Sequence, residues 1–181
     1  MSDAMDDFFI KLQKMKSRVQ FMETRSIRVG WPDGNKSYAE AKHRLDTGEK
    51  RKEGEIVKPA SQALIAATLN FGRKPGVCSN GAPYAEIPAR DFMGVAVKEY
   101  GEHITKVAMS QMKQVMDGSK SPGNAMRRIG VECKGAIQRA MLDSDKYLPN
   151  SPKTKKSHPT PDPKPLFDTG NLIASVDFEI K

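Results

Sequence analysis

Apolar side chains fall into a helical rhythm at four places along the chain and into a strand rhythm at two. Phe8, Leu12, Met15 and Val19 recur at spacings of four, three and four, with Lys11, Lys14, Lys16 and Arg18 between them. This predicts an amphipathic helix from Asp3 to Phe21. Ile27, Val29 and Trp31 alternate with Ser26, Arg28 and Gly30 until Pro32, Asp33 and Gly34 supply turn chemistry, which predicts a strand at 26–31. Ala63, Leu64, Ala67 and Leu69 follow Ser61 and stop at Asn70, Phe71 and Gly72, a short Ala-rich helix. The longest helix is expected over 91–116, where Met93, Val97, Tyr100, Ile104, Val107, Met112 and Val115 keep a three-four rhythm and Gly118 terminates it. Ser121 and Pro122 open the next helix as N-cap and first-turn proline, with Met126, Ile129, Cys133, Ala136 and Ala140 as its buried stripe. A link this short predicts that the two helices pack antiparallel. At the end, Leu172, Ala174, Val176, Phe178 and Ile180 alternate with polar neighbours apart from Ile173, which predicts a strand over 171–180.

Three stretches lack either rhythm. Residues 36–58 hold twelve charged side chains and few large apolar ones, so little burial is available there to offset ordering entropy. They are expected to form a charged, loop-like insertion with some helix. Gly72 to Pro88 contains three Pro and three Gly, a density that predicts loop. Residues 146–165 hold six of the twelve prolines and five Lys against one Asp, and are expected to form an extended basic arm. The sum is an α+β fold: a small, mainly antiparallel sheet packed against two long helices, with an N-terminal helix, extended loops and an arm, all in one domain spanning 1–181.

The length of 181 residues, with 38% hydrophobic and 7% aromatic side chains, suits one core with hydrated extensions. A net charge of +8 draws the chain toward polyanions or acidic protein surfaces without naming the partner. The longest apolar run, Ala63 to Ala67, is far short of the roughly 20 residues of a membrane helix. Asp3, Asp6 and Asp7 precede the first apolar cluster, unlike the basic start of a secretory signal, which predicts a start in the cytosol. Cys78 and Cys133 have neither disulfide-framework nor zinc spacing and are taken as free thiols.

The sharpest enzyme motif is Asp-Thr-Gly, present at Asp46–Gly48 and Asp168–Gly170. Paired carboxylates in such turns share one proton in aspartic proteases. Those enzymes are built almost wholly of strands, and Asp46 lies in a charged stretch without flanking hydrophobic strands. The plainer alternative is a turn in which Asp168 and Thr169 bond backbone amides and Gly170 takes a backbone angle other residues resist. His43, His103 and His158 lack metal-ligand spacing, and no Gly-Lys-Ser/Thr phosphate loop occurs, so neither a metal nor a cofactor is expected. Met109, Met112, Met116, Met126 and Met141 fall on the two central helices and are expected in the core. Without interleaved aromatics the basic arm is unsuited to base stacking, but phosphate or carboxylate contact stays open.

Several segments, in order, resemble the bacteriophage virion-morphogenesis and tail-completion family, the small neck proteins of tailed phages. Val29-Gly30-Trp31-Pro32 resembles that family's opening strand, and Ala63 to Gly72, ending in Phe71-Gly72, resembles its short helix. Ile87-Pro88-Ala89-Arg90-Asp91-Phe92 is similar to its Ile-Pro-Ala-Arg-Pro-Phe signature, with Asp91 in place of the second proline, which would relax the helix entry. Tyr147 to Thr154 is similar to a segment leading through lysines to Pro-Leu-hydrophobic-Asp-Thr-Gly-x-Leu, and Pro165 to Leu172 with Ser175-Val176 matches that final motif. The resemblance spans about 26–180, with 36–58 as an insertion.

The resemblance implies a structural role without catalysis: completing the tail or joining it to the head, as a multi-copy ring around the DNA channel. Implied partners are further copies of the chain, the tail terminator, the tail tube and head-closure or portal-side neck proteins, with non-specific contact to channel DNA. It places the protein in the virion, and in the host cytoplasm during assembly. The motif residues that would carry packing or contact are Phe71, Gly72, Pro88, Ala89, Arg90, Phe92, Asp168, Thr169, Gly170 and Leu172. Lys153, Lys155 and Lys156 are the candidate contact arm. An aspartic-protease-like enzyme using Asp46 and Asp168, and a basic DNA-binding factor, are the alternatives.

Overall fold

A computed structural model describes residues 2–32, 61–77, 81–157, 163–167 and 170–181. The first helix, α1, runs Ser2–Glu23 and leads into β1, Ile27–Gly30. After α2, Gln62–Phe71, the short strands β2, Gly76–Val77, and β3, Pro83–Tyr84, form a ribbon in the stretch expected to be loop. Then come α3, Phe92–Met116, and α4, Pro122–Leu142. A 3₁₀ turn at Ser144–Lys146, α5 at Pro152–Ser157, α6 at Asn171–Ala174 and β4 at Asp177–Ile180 complete the order. The fold is mixed helix and sheet, with α3 and α4 packed along one another.

The sheet is small and antiparallel, as the sequence pattern suggested, and falls into two ribbons of two strands each. β1 and β4 pair antiparallel from Ile27 opposite Ile180 to Gly30 opposite Asp177. Ser26 and Lys181 extend the ladder by one reciprocal pair of backbone bonds. Helix α4 packs on both strands. Gly130 permits this approach: a Cβ there would lie 2.3 Å from the Phe178 ring. The core joins Phe92 and Ala96 of α3 to Ile137, Ala140 and Met141 of α4, and to Leu172, Ile173 and Val176 beside β4.

Two expectations need correction. Residues 171–174 are a helical turn, since Gly170 starts it at φ 76° and Ala174 and Ser175 bond back to the carbonyls of Gly170 and Asn171. That turn directs Leu172, Ile173 and Val176 inward together, and so accommodates Ile173, the one residue that broke the alternation. The arm is also not extended throughout, because Pro152–Ser157 is helical and the Ser151 hydroxyl accepts a bond from the Thr154 amide. Ser151-Pro152 is the same start signal as Ser121-Pro122. The charged segment 36–58 lies outside the described residues.

The buried stripes are only partly as expected. Met126 and Met141 are core, Met112 is half-buried, and Met109 and Met116 face solvent. Val97 is 72% exposed despite its place in the α3 rhythm. No helix among the described residues is long and apolar enough to cross a membrane.

Candidate functional site

Six of the motif residues, Phe71, Gly72, Pro88, Ala89, Arg90 and Phe92, lie where α2 ends and α3 begins. Asp91 lies at the N-cap of α3 and its Oδ1 accepts from the Gly94 amide at 2.9 Å, so the residue expected to relax the helix entry instead caps it. Asn70 supplies a second cap from another helix: its Oδ1 accepts from the Met93 amide at 3.0 Å while the residue is only 3% exposed. The Arg90 amide donates to the Leu69 carbonyl at 2.9 Å. Gly72 is needed at this seam, because φ is 75° and a Cβ would lie 2.8 Å from Ile87 O and Ala89 N. The junction is thus a set of backbone bonds closed by short polar side chains.

Arg90 extends this junction to the chain after α4. It is buried, its Nε donates to Leu148 O at 3.2 Å, and its Nη2 donates to Asn150 Oδ1 at 3.0 Å. Asn150 in turn donates to the carbonyls of Pro163 and Lys164, which tethers the two ends of the basic segment. Among the described residues both side-chain partners of Arg90 are neutral, so burial lowers its pKa from the ordinary arginine value. Among the described residues Arg90 thus serves a carbonyl and an amide oxygen inside the molecule through its Nε and Nη2.

Arg90→Ala removes both charge-assisted bonds and is expected to cost about 3 kcal/mol, lowering the melting temperature by roughly 10 °C. Calorimetry that finds an unchanged melting temperature would refute that role.

Tyr147 completes the tether by donating from its hydroxyl to Ala140 O at 2.6 Å. Burial pushes its pKa up to about 12. The native state holds this proton more tightly than the unfolded chain, so the stabilisation is full below about pH 10 and is lost as pH rises toward 12. Tyr147→Phe is expected to cost about 1 kcal/mol at pH 7 and to flatten the alkaline loss of stability. Denaturant titrations from pH 8 to pH 12 read both effects, and an identical alkaline slope in the variant would contradict them. Next to it, the Lys146 ammonium is held above its ordinary value by Asp143 and then Glu99, which fastens the 3₁₀ turn to α3.

The other sequence-singled residues divide between interior and surface. Phe92 is fully buried and meets Trp31 edge to face, with centroids 6.0 Å apart and planes at 79°. Trp31 Nε1 donates to Leu172 O and Ser175 Oγ, which locks β1 to α6. Leu172 is buried, Pro88 half-buried and Ala89 exposed, while Phe71 is 78% exposed. Gly170 holds the left-handed angle expected of it. Lys155 is half-buried on α5 and Lys156 exposed; the side chain of Lys153 lies outside the described residues. Asp46, Asp168, Thr169, His43, His158 and Cys78 also lie outside them, so the two candidate acids are not placed relative to one another.

Among the described residues, no group of three His, Cys, Asp or Glu could hold a metal ion. His103 faces Glu132 at 3.5 Å, bridging α3 to α4. Cys133 is a half-buried free thiol whose pKa burial, and then Glu132, push upward, so it is a poor nucleophile at neutral pH.

The free half of α1 exposes a run of large apolar side chains. Met5, Phe8, Leu12, Met15, Val19 and Met22 repeat at three-four spacing on one face. The half holding Met15, Val19 and Met22 is partly buried, and α1 packs on α3 and α4. In the other half Met5 is 60%, Phe8 58%, Phe9 55% and Leu12 43% exposed. Single exposed apolar residues are ordinary, whereas four adjoining ones on two helical turns mark a contact surface. Sequence reasoning found the stripe but missed that it outruns its own body. It also missed Asn70, which caps α3, and Asn150, which bridges Arg90 to Pro163 and Lys164, because both roles depend on partners distant in sequence.

No family model, no curated protein and no solved structure matches this chain.

Proposed function

We propose that the chain is a structural virion protein that completes the phage tail or joins tail to head in the neck, as a multi-copy ring around the DNA channel. The observation that carries this reading is the solvent-facing run Met5, Phe8, Phe9 and Leu12 on α1. The docked half of the same stripe fits a helix-pair surface, and the free half is suited to the equivalent type of surface on a neighbouring subunit. A closed ring needs such heterologous contacts, in which one patch meets a different patch on the next copy. The ordered motifs from Val29 to Val176 supply the phage context, and their interior members serve as scaffold for that surface.

The charge of +8 suits contact with acidic portal-side or tail-terminator surfaces and with channel DNA. Lys155 and Lys156 on α5, with Lys153 in the same helix, are the contact residues proposed for this. Reversing all three to Glu tests the arm: impaired ring assembly and genome release support it, and unaltered assembly and infectivity remove it from the mechanism. The same positive balance favours a basic DNA-binding factor as the second reading. Retention on DNA that falls steeply with salt, without association to purified tails at physiological salt, would select that reading instead. A peptidase assay of the chain and of Asp168→Asn tests the aspartic-protease alternative, which Asp168-dependent cleavage would favour.

A further inference from the structure

The free half of α1 has a counterpart on the same molecule. Leu64, Ala67 and Phe71 recur at spacings of three and four along α2, and all three face solvent. The opposite side of that helix is docked, with Gln62, Ala66 and Asn70 buried. Leu64 and Phe71 are 59% and 78% exposed, so α2 carries an apolar ridge that no described residue covers.

Place relates the two runs. The α2 ridge lies at the start of α3, where Leu69 O and Asn70 Oδ1 accept from the Arg90 and Met93 amides. The docked half of α1 reaches the far end, because Arg18 stands against Gly118 just past the last residue of α3. With 25 residues, α3 is about 37 Å long. Gly30 is back at the start of α3, since a Cβ there would lie 3.9 Å from Met93 Cε. At about 1.5 Å per helical residue and 3.4 Å per extended one, the chain from Arg18 to Gly30 covers that length only if α1 runs antiparallel to α3. Met5 to Leu12 therefore lie toward the α3–α4 turn, away from Leu64 and Phe71. One copy cannot bring the two runs together, whereas two copies placed head to tail can.

Charge relates them too. Residues 5–12 hold Asp6 and Asp7 against Lys11, while Arg73 and Lys74 follow Phe71 directly and 61–77 hold no acid. Asp6, Asp7, Arg73 and Lys74 are all exposed. An α1–α1 contact would leave the α2 ridge bare.

We propose that the exposed start of α1 in one copy docks on the Leu64, Ala67 and Phe71 face of α2 in the next, with Asp6 and Asp7 toward Arg73 and Lys74. This rests on the ring reading above and names the two patches that meet in it, a heterologous contact that repeats from copy to copy.

Two variants break the contact from opposite sides: Phe8→Lys with Leu12→Lys alters the run on α1, and Leu64→Lys with Phe71→Lys alters its seat on α2. Native mass is measured for the parent chain, each variant and their equimolar mixture, one variant carrying ¹⁵N, alone and with purified tails that lack the chain. Each variant by itself is expected to associate about a hundredfold more weakly than the parent, or worse. In the mixture the intact α1 of the second variant meets the intact α2 of the first, so pairs of one of each form and grow no further. Should a lysine variant fail to fold, reversal of Asp6 and Asp7 to Lys and of Arg73 and Lys74 to Glu takes its place: each reversal alone weakens association about tenfold, and the two in one chain restore it. An α2 variant that assembles like the parent, or a mixture without one-to-one pairs, overturns this pairing and leaves the ring reading standing. A parent chain that stays monomeric in both settings overturns both.

Discussion

Replacing both Phe8 and Leu12 by lysine is expected to weaken self-association by two to three orders of magnitude and to leave the melting temperature within about 2 °C of the unaltered chain. The two side chains are 58% and 43% exposed, so the monomer loses little when they change. Covering what they expose would contribute about 3–4 kcal/mol to a contact, and each 1.4 kcal/mol is a factor of about ten in affinity. Two lysines would also have to be desolvated in that contact. Sedimentation velocity over a hundredfold concentration range, alongside calorimetry, separates the outcomes. Equal association of variant and parent would show that α1 is not the contact, and a large fall in melting temperature would show that its free half is part of the core.

Phe92→Ala tests the opposite side of the account, the scaffold. Phe92 is fully buried at the first turn of α3, against Trp31 and the chain around α6. Removing its ring leaves a cavity and loses the edge-to-face contact, at an expected cost of about 4 kcal/mol. Against a typical total of about 5–15 kcal/mol, that is a large share. Denaturant unfolding followed by Trp31 emission should show a lower midpoint at unchanged slope. Phe71→Ala, at the end of α2 and 78% exposed, should change the midpoint hardly at all. If the two substitutions cost the same, the division of the motif residues into interior and surface is wrong.

Much of the helical framework was legible because its signals are local. Ser121-Pro122, the three-four stripes and Gly118 mark α3 and α4 within a turn of their observed ends, and β1 followed directly from the alternation of Ile27, Val29 and Trp31. The strand expected over 171–180 divided because Gly170 admits a left-handed angle that lets a helical turn bury adjacent Leu172 and Ile173. Periodicity cannot reveal that choice, since it depends on the Trp31 and Gln138 side chains bonding to carbonyls of the turn. Arg90 was singled out from its motif with an acid or a carbonyl cluster as its target, and its neutral partners lie about sixty residues away at Leu148 and Asn150. The ribbon at 76–84 escaped notice because its strands are two residues long, too short for any rhythm. The apolar reach of α1 was visible as a stripe, but whether a stripe is covered is a tertiary fact.

The most direct measurement is the native mass of the full chain, alone and with purified tails that lack it, at micromolar concentration and physiological salt. A closed multimer of one size, alone or on the tail end, that the Phe8 and Leu12 lysine variant fails to form, is the predicted result. A chain that stays monomeric in both settings and binds no tail would contradict the assembly role.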